Sequence, residues 1–255
     1  MRLNKILSIL GCLAVFLTAT PASASFIFGD GGASLQGVFD GITTAPVAGS
    51  SSIDVTTDGL SDHNDSKWRV TATGGSVSTV VIELAAFATT NTFGIYDPHS
   101  NQSVELFNGA ASIGSQVVLS VKDDGSIFVN FADTGINFTS NEFGYYLDAS
   151  ASAQQGGGLW YSDTAKNADN MDHMYAYQGT GTDTVKIDGL SAGTWTTSEY
   201  ALAWEDLTAS VSDKDYSDFV VMVESVNPVP EPASLALLGL GLLGFGWIGK
   251  ARRKV

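Results

Sequence analysis

The residues best equipped for chemistry are acidic, and they are crowded. Glu205, Asp206, Asp213, Asp215 and Asp218 fall within one short stretch. Alternating carboxylates on a turn ahead of a strand offer hard oxygen ligands at close range, the donor type that Ca2+ takes in sets of about six to eight. Asp163, Asp169 and Asp172, together with Asn167, form a second oxygen-rich loop that would complete such a sphere. Neither loop has EF-hand spacing: counted from Asp213, the sixth position is Asp218 rather than Gly, and the twelfth, Glu224, falls in an expected strand. The plain alternative is a solvated acidic turn, because a chain with 27 acids clusters them easily by chance. The argument for a ligand is that closely spaced carboxylates repel one another and a cation relieves the repulsion.

Other chemistry is thinner. Trp160, Tyr161, Tyr175, Tyr177 and Trp195 are candidates for a sugar-binding platform, since rings beside acids and amides suit that role; packing into a core is the competing use of the same side chains. Gly189-Leu190-Ser191-Ala192-Gly193 spells a nucleophile elbow, but no histidine follows His173 and the sequence after it does not read as a helix. A β-turn is the better reading. His63, His99 and His173 lack zinc-protease spacing, and nothing singles out one carboxylate pair for glycoside hydrolysis. The expectation is therefore a non-enzymatic protein with no catalytic residues.

The elements that must position these residues read as strands. From Ser25 to Asn227 no useful helical period emerges; short β-branched and aromatic stretches alternate with Gly, Asp, Asn and Ser clusters. Gln116 to Val121 and Ile127 to Ala132 flank Lys122-Asp123-Asp124-Gly125-Ser126, which predicts a hairpin on its Asp-Gly pair. Further strands are expected at Val77–Ala88, Phe93–Tyr96, Phe143–Leu147, Thr184–Ile187, Tyr200–Trp204 and Phe219–Val223. Phe93-Gly94-Ile95-Tyr96-Asp97 echoes Phe143-Gly144-Tyr145-Tyr146-Leu147-Asp148, as two equivalent strands of one fold would. The expected class is all-β, an antiparallel, jelly-roll-like β-sandwich over residues 80–227 preceded by a β/loop extension over 25–79.

Charge separates body from ends. The chain has 12 Lys and Arg against 27 Asp and Glu, so nucleic acid is excluded as a natural partner. All the acids lie between Asp30 and Glu231, where only six bases accompany them and the net charge is −21. The other bases sit at the ends, each beside an apolar run. Arg2 and Lys5 precede Ile6 to Leu17, and Pro21 then leads to Ala22-Ser23-Ala24, a pattern that predicts a signal peptide over residues 1–24 with cleavage between Ala24 and Ser25. The lone cysteine, Cys12, goes with it, which excludes a disulfide framework. At the other end, the apolar residues from Ala233 predict a single membrane helix over 233–249 followed by a basic tail over 250–255. The basic tail places the C-terminus in the cytoplasm and the acidic body outside.

Pro230, Glu231 and Pro232, then the Leu/Gly-rich apolar segment with Trp247, then Arg252 and Arg253 stand in order over residues 228–255. This arrangement closely resembles the PEP-CTERM sorting signal of Gram-negative bacteria that make exopolysaccharide. The resemblance implies recognition by an exosortase, a membrane-embedded transpeptidase-like enzyme that removes the tail. Within the body, Phe143 to Asp148, Trp160-Tyr161-Ser162-Asp163, Asp172-His173-Met174 and Tyr177-Gln178-Gly179 follow in order. Ala203-Trp204-Glu205-Asp206-Leu207 and Asp213-Lys214-Asp215-Tyr216-Ser217-Asp218 come after them. Together they resemble a domain of unknown function that recurs in bacterial surface proteins, with Ser217 where that domain usually has Asn. The family implies a β-rich extracellular module and brings no known activity.

These readings converge on an exported protein handled by the Sec machinery, signal peptidase and an exosortase-like enzyme. An inner-membrane-anchored precursor would then be delivered to the cell surface or exopolysaccharide matrix, with Ca2+ and carbohydrate as candidate ligands. The contrasting expectation is a secreted hydrolase acting on extracellular polysaccharide.

Overall fold

The computed structural model describes residues 34–72, 76–83, 90–100 and 102–230, with the backbone alone for 76–83. The signal-cleavage residues Ala22, Ala24 and Ser25, the motif residues Glu231 and Pro232, and the expected membrane helix lie outside the described residues. Among the described residues no helix is long and apolar enough to cross a membrane.

Helix α1 (Leu35–Ile42) runs into β1 (Thr43–Ala45), and a one-turn helix α2 (Asp62–Asp65) precedes β2 (Trp68–Val70). There follow β3 (Ser76–Glu83), β4 (Thr92–Tyr96), β5 (Ser103–Phe107), β6 (Gln116–Val121), β7 (Ser126–Val129), β8 (Ala132–Asn137) and β9 (Glu142–Asp148). A 3-10 turn leads to β10 (Leu159–Tyr161), and another, over Thr164–Lys166, to β11 (Met174–Gln178). The chain ends in β12 (Thr184–Val185), β13 (Gly193–Thr194), β14 (Glu199–Trp204), β15 (Phe219–Glu224) and β16 (Val226–Pro228). The class is all-β, and every strand pair is antiparallel.

A seven-stranded sheet has the order β11-β14-β15-β3-β6-β7-β8, and a six-stranded sheet the order β16-β2-β9-β4-β5 with β10 also on β9. The side-chain period of two explains how they meet. On β9, Phe143, Tyr145 and Leu147 enter the larger core cluster, where Leu202, Trp204, Phe219 and Val221 of the other sheet join them. Phe93 contacts rings from both sheets, lying parallel to Tyr145 at 5.5 Å and edge-on to Trp204 at 6.0 Å. The seven-stranded sheet is buried on its other face as well. Tyr175, Tyr177, Ala201, Ala203, Val220 and Met222 alternate with the first set and form a second core with α1, Ile53, Val55 and Trp195. That double burial is why β14 and β15 read as continuous apolar runs rather than alternating ones.

Helix α1 was not apparent as a period. It is eight residues long, capped by the Ser34 hydroxyl on the Gly37 N–H, and it buries Leu35, Val38 and Phe39. Phe39 stands edge-on to Tyr177 and Trp195, at 5.2 and 5.3 Å. So short a helix holds its shape through this packing, not through propensity.

The expected hairpin is β6–β7, with Leu119 opposite Val129 and Val121 opposite Ile127. Gly125 has φ 87°, and a Cβ there would overlap the Phe138 carbonyl, so the turn requires glycine. The two echoing segments are direct neighbours, β4 and β9, paired with Tyr96 opposite Gly144 and Gly94 opposite Tyr146. Each glycine gives space to the other strand's tyrosine: a Cβ on Gly144 would overlap the Tyr96 ring, and one on Gly94 would reach within 2.7 Å of the Tyr146 ring.

Candidate metal centre

Strand β14 carries Trp204 into the larger core and delivers Glu205 and Asp206 beyond its end; the loop back to β15 supplies Asp213, Asp215 and Asp218. The apolar strands thus bring all five predicted acids to one end of the seven-stranded sheet. Carboxylate oxygens of Glu205, Asp213 and Asp215 lie within 4.8 Å of one another, as do those of Glu205, Asp206 and Asp218. Glu205 is common to both groups. Glu205, Asp206 and Asp215 are buried and Asp213 is exposed.

The loop is held by hydrogen bonds that aim carboxylates inward. The Glu205 carboxylate accepts from the backbone N–H of Lys214 at 3.0 Å, and Asp218 Oδ2 from that of Asp206 at 3.1 Å. Asp215 Oδ1 accepts from both the N–H and the hydroxyl of Ser217. Lys214 and Tyr216 have φ of 60° and 54°, a left-handed pair that folds the loop back on itself. The neighbouring charges acting on these acids are one another's. Burial, above all, pushes the Glu205 carboxyl up to about 7, and burial followed by Asp206 and Glu205 pushes Asp218 up to about 9. Burial raises Asp206 too, against a hydrogen bond from Asn91 that lowers it.

Sequence reasoning missed Asn91. Its Nδ2 donates to Asp206 Oδ2 at 3.0 Å, while its own Oδ1 is buried without a hydrogen-bond partner. A neutral oxygen with no donor beside a carboxylate cluster fits a hard cation. Its only sequence signal was an amide between two strands, which is common. The donor set of the centre, all oxygen with no sulfur or imidazole, suits calcium better than zinc.

The second predicted loop does other work. Asp163 accepts from the Ala165 N–H and caps a 3-10 turn. Asp169 accepts from the N–H groups of Met171 and Ala209 and the Thr208 hydroxyl, and faces His173 Nε2 at 3.2 Å. Those donors hold its carboxyl low despite burial. Asp172 is buried, belongs to neither carboxylate group, and is pushed up to about 7, by burial and then by Asp62. His173 is fully buried, stacked at 3.7 Å on Trp160, with Nδ1 at 2.9 Å from the Glu205 carbonyl; burial lowers its pKa. Trp160 donates to the Asp206 carbonyl at 2.6 Å. This pair braces the acidic loop from behind.

Of the predicted aromatic platform, Trp160, Tyr175, Tyr177 and Trp195 are buried, divided between the two cores. Tyr161 alone is half-buried, on the opposite face of β10 from Trp160. Gly189 to Gly193 forms a turn entering β13 rather than a strand–turn–helix, and His63 and His99 are exposed.

An all-β antiparallel module with an oxygen-lined loop, joined to a Pro-rich C-terminal segment, is the class that fold and site define. Residues 228–253 match the PEP-CTERM protein-sorting motif, and residues 132–226 match a domain of unknown function, DUF4114. The chain thus carries a PEP-CTERM sorting motif behind a β-rich segment similar to this domain. The motif marks it as an exported protein of a Gram-negative bacterium, made as a membrane-anchored precursor and processed by exosortase. The DUF4114 match starts at Ala132, so the sheets draw five strands, β2 to β6, and β7 from outside it. No curated protein and no solved structure matches the chain.

Proposed function

We propose that this is a non-enzymatic, calcium-stabilised module of the cell surface or exopolysaccharide matrix, its two large sheets forming a jelly-roll-like sandwich. The observation that carries the reading is the pair of carboxylate groups sharing the buried Glu205, with Asp206 and Asp215 also buried, and with the unpartnered Asn91 Oδ1 beside them. Glu205, Asp206, Asp213, Asp215 and Asp218 would hold the ion, and Asn91 would add a neutral oxygen. The ion supplies the positive charge that lets buried carboxylates stay ionised, and so fixes the β14–β15 loop. Dispersal of the histidines, with His173 committed to bracing the loop, supports a binding rather than a catalytic role.

Thermal unfolding of the full chain with excess Ca2+ or with EDTA tests this. A free concentration about 100 times Kd is worth about 2.7 kcal/mol, or a Tm rise of roughly 5–10 °C. Mg2+ should do less, because it demands a tighter octahedral shell. Identical melting in Ca2+ and EDTA would overturn the proposal.

A further inference from the structure

A second region has ligand-binding character and does not involve the acidic loop. On the face of the six-stranded sheet away from the larger core, Tyr96, Tyr146, Tyr161, Gln102, Asp148 and Lys166 border a cavity of about 300 Å³, with Ser100, Ser103 and Leu159 completing it. Strand register places them there: Tyr146 is opposite Tyr161, Asp148 opposite Leu159, and Tyr96 opposite Ser103. Its size is at the lower end of ligand pockets, room for one or two sugar rings.

The floor is prepared in advance. Tyr96 and Tyr146 are buried and lie over Gly144 and Gly94, where no side chain competes for the space. Tyr161 stands edge-on to Tyr96 at 4.9 Å. The exposed Lys166 ammonium lies 5.2 Å from the Tyr96 ring and 5.7 Å from that of Tyr161. These contacts fix the rings, so little ordering entropy is lost when a ligand arrives.

We propose that this cleft is a binding site for a neutral saccharide chain. A sugar ring has a C–H face and a hydroxyl rim, and the cleft matches both. Tyrosine faces and edges meet the first, while the Asp148 carboxylate, Gln102 amide, Ser100 and Ser103 hydroxyls and Lys166 ammonium meet the second. An apolar ligand would find Leu159 as its one aliphatic contact. A polyanion would meet a single lysine, Asp148 beside it and a body of net charge −21. The site draws Tyr96, Ser100, Gln102 and Ser103 from before the DUF4114 match and the rest from within it, so the matched segment alone does not make it.

The test is calorimetric titration of the full chain, in a detergent without a sugar headgroup, with cellohexaose, maltohexaose, mannohexaose and, as an acidic comparison, tri-galacturonate. At least one neutral hexasaccharide should bind with Kd below about 1 mM, and more tightly than the uronate. Tyr161→Ala and Asp148→Asn should each weaken it by about tenfold or more. Gln102→Ala, at an exposed position just before edge strand β5, serves if Tyr161→Ala fails to fold, and should weaken binding at least severalfold. Asp215→Asn, in the acidic loop, should leave it unchanged, so sugar binding stands or falls separately from calcium. Absence of binding by all three neutral sugars, preference for the uronate, or binding indifferent to the cleft variants would overturn the inference.

Discussion

At the scale of single residues, the acidic centre predicts an inverted response to pH. The Glu205, Asp206 and Asp218 carboxyls have pKa values raised by burial above those they show in an unfolded chain. The folded state therefore holds protons that the unfolded state has released, and stability falls as pH rises through that window. Metal-free protein should melt highest near pH 5 and progressively lower toward pH 9. Under the proposed function Ca2+ would replace those protons, so its stabilisation should grow over the same interval and its binding should release protons into a weakly buffered solution. Melting curves at pH 5, 7 and 9, with Ca2+ and with EDTA, check both signs. Asp97 and Asp169 behave oppositely: hydrogen bonds hold their carboxyls low, and the stability they contribute disappears as pH falls through their range. Trp160→Phe keeps the stack on His173 but removes the indole N–H from the Asp206 carbonyl. A loss of about 1–2 kcal/mol in denaturant unfolding is expected, because the buried carbonyl is left unpaired.

At the scale of elements, the β4–β9 pair is the junction of fold and cleft. Gly144→Ala would drive a methyl group into the Tyr96 ring, and overpacking of this kind costs about 1–3 kcal/mol. Chemical denaturation should show that loss, with saccharide binding weakened in parallel because the ring is the cleft floor. The turn after β4 is tied down by Asp97, whose two oxygens accept from the His99 N–H, the Ser100 hydroxyl, and the N–H and hydroxyl of Thr139. Those bonds clasp the β4–β5 turn to the β8–β9 turn. Strands such as Phe143–Leu147 and Tyr200–Trp204 were legible because β-branched and aromatic runs end in turn residues. The Phe-Gly-x-Tyr echo was legible as a pattern, but its reason, reciprocal glycine–tyrosine packing, needs the register. The short strands β1 and β13, of three and two residues, have no period to read, and of the expected strand at Thr184–Ile187 only Thr184–Val185 pairs, as β12. The five loop acids could be grouped from sequence because one hairpin connection carries them. Asn91, Tyr96 and Gln102 could not, since other strands bring them in, and Trp195 gave no sign that it belongs to a core built around α1.

At the scale of the whole molecule, the basic C-terminal end and the acidic body meet at the sorting motif. Removal of the tail would take Lys250, Arg252, Arg253 and Lys254 with it and leave the acids up to Glu224 on the body. The motif Pro230-Glu231-Pro232 is the point where that change is decided, directly after β16 closes the six-stranded sheet at Pro228. Glu231 follows β16 in the chain and lies outside the DUF4114 match, so replacing it tests the motif rather than the domain. In cells that contain an exosortase, Glu231→Ala combined with Pro232→Ala should leave a protein of full C-terminal mass in the detergent-extracted membrane fraction. The wild-type chain should instead yield a shorter form that has lost its basic tail. In cells without an exosortase the two chains should be indistinguishable, because the difference depends on recognition rather than on stability. Intact-mass measurement of both fractions decides it: a wild-type chain that keeps residues 250–255 in exosortase-bearing cells would mean that the C-terminal segment acts only as an anchor.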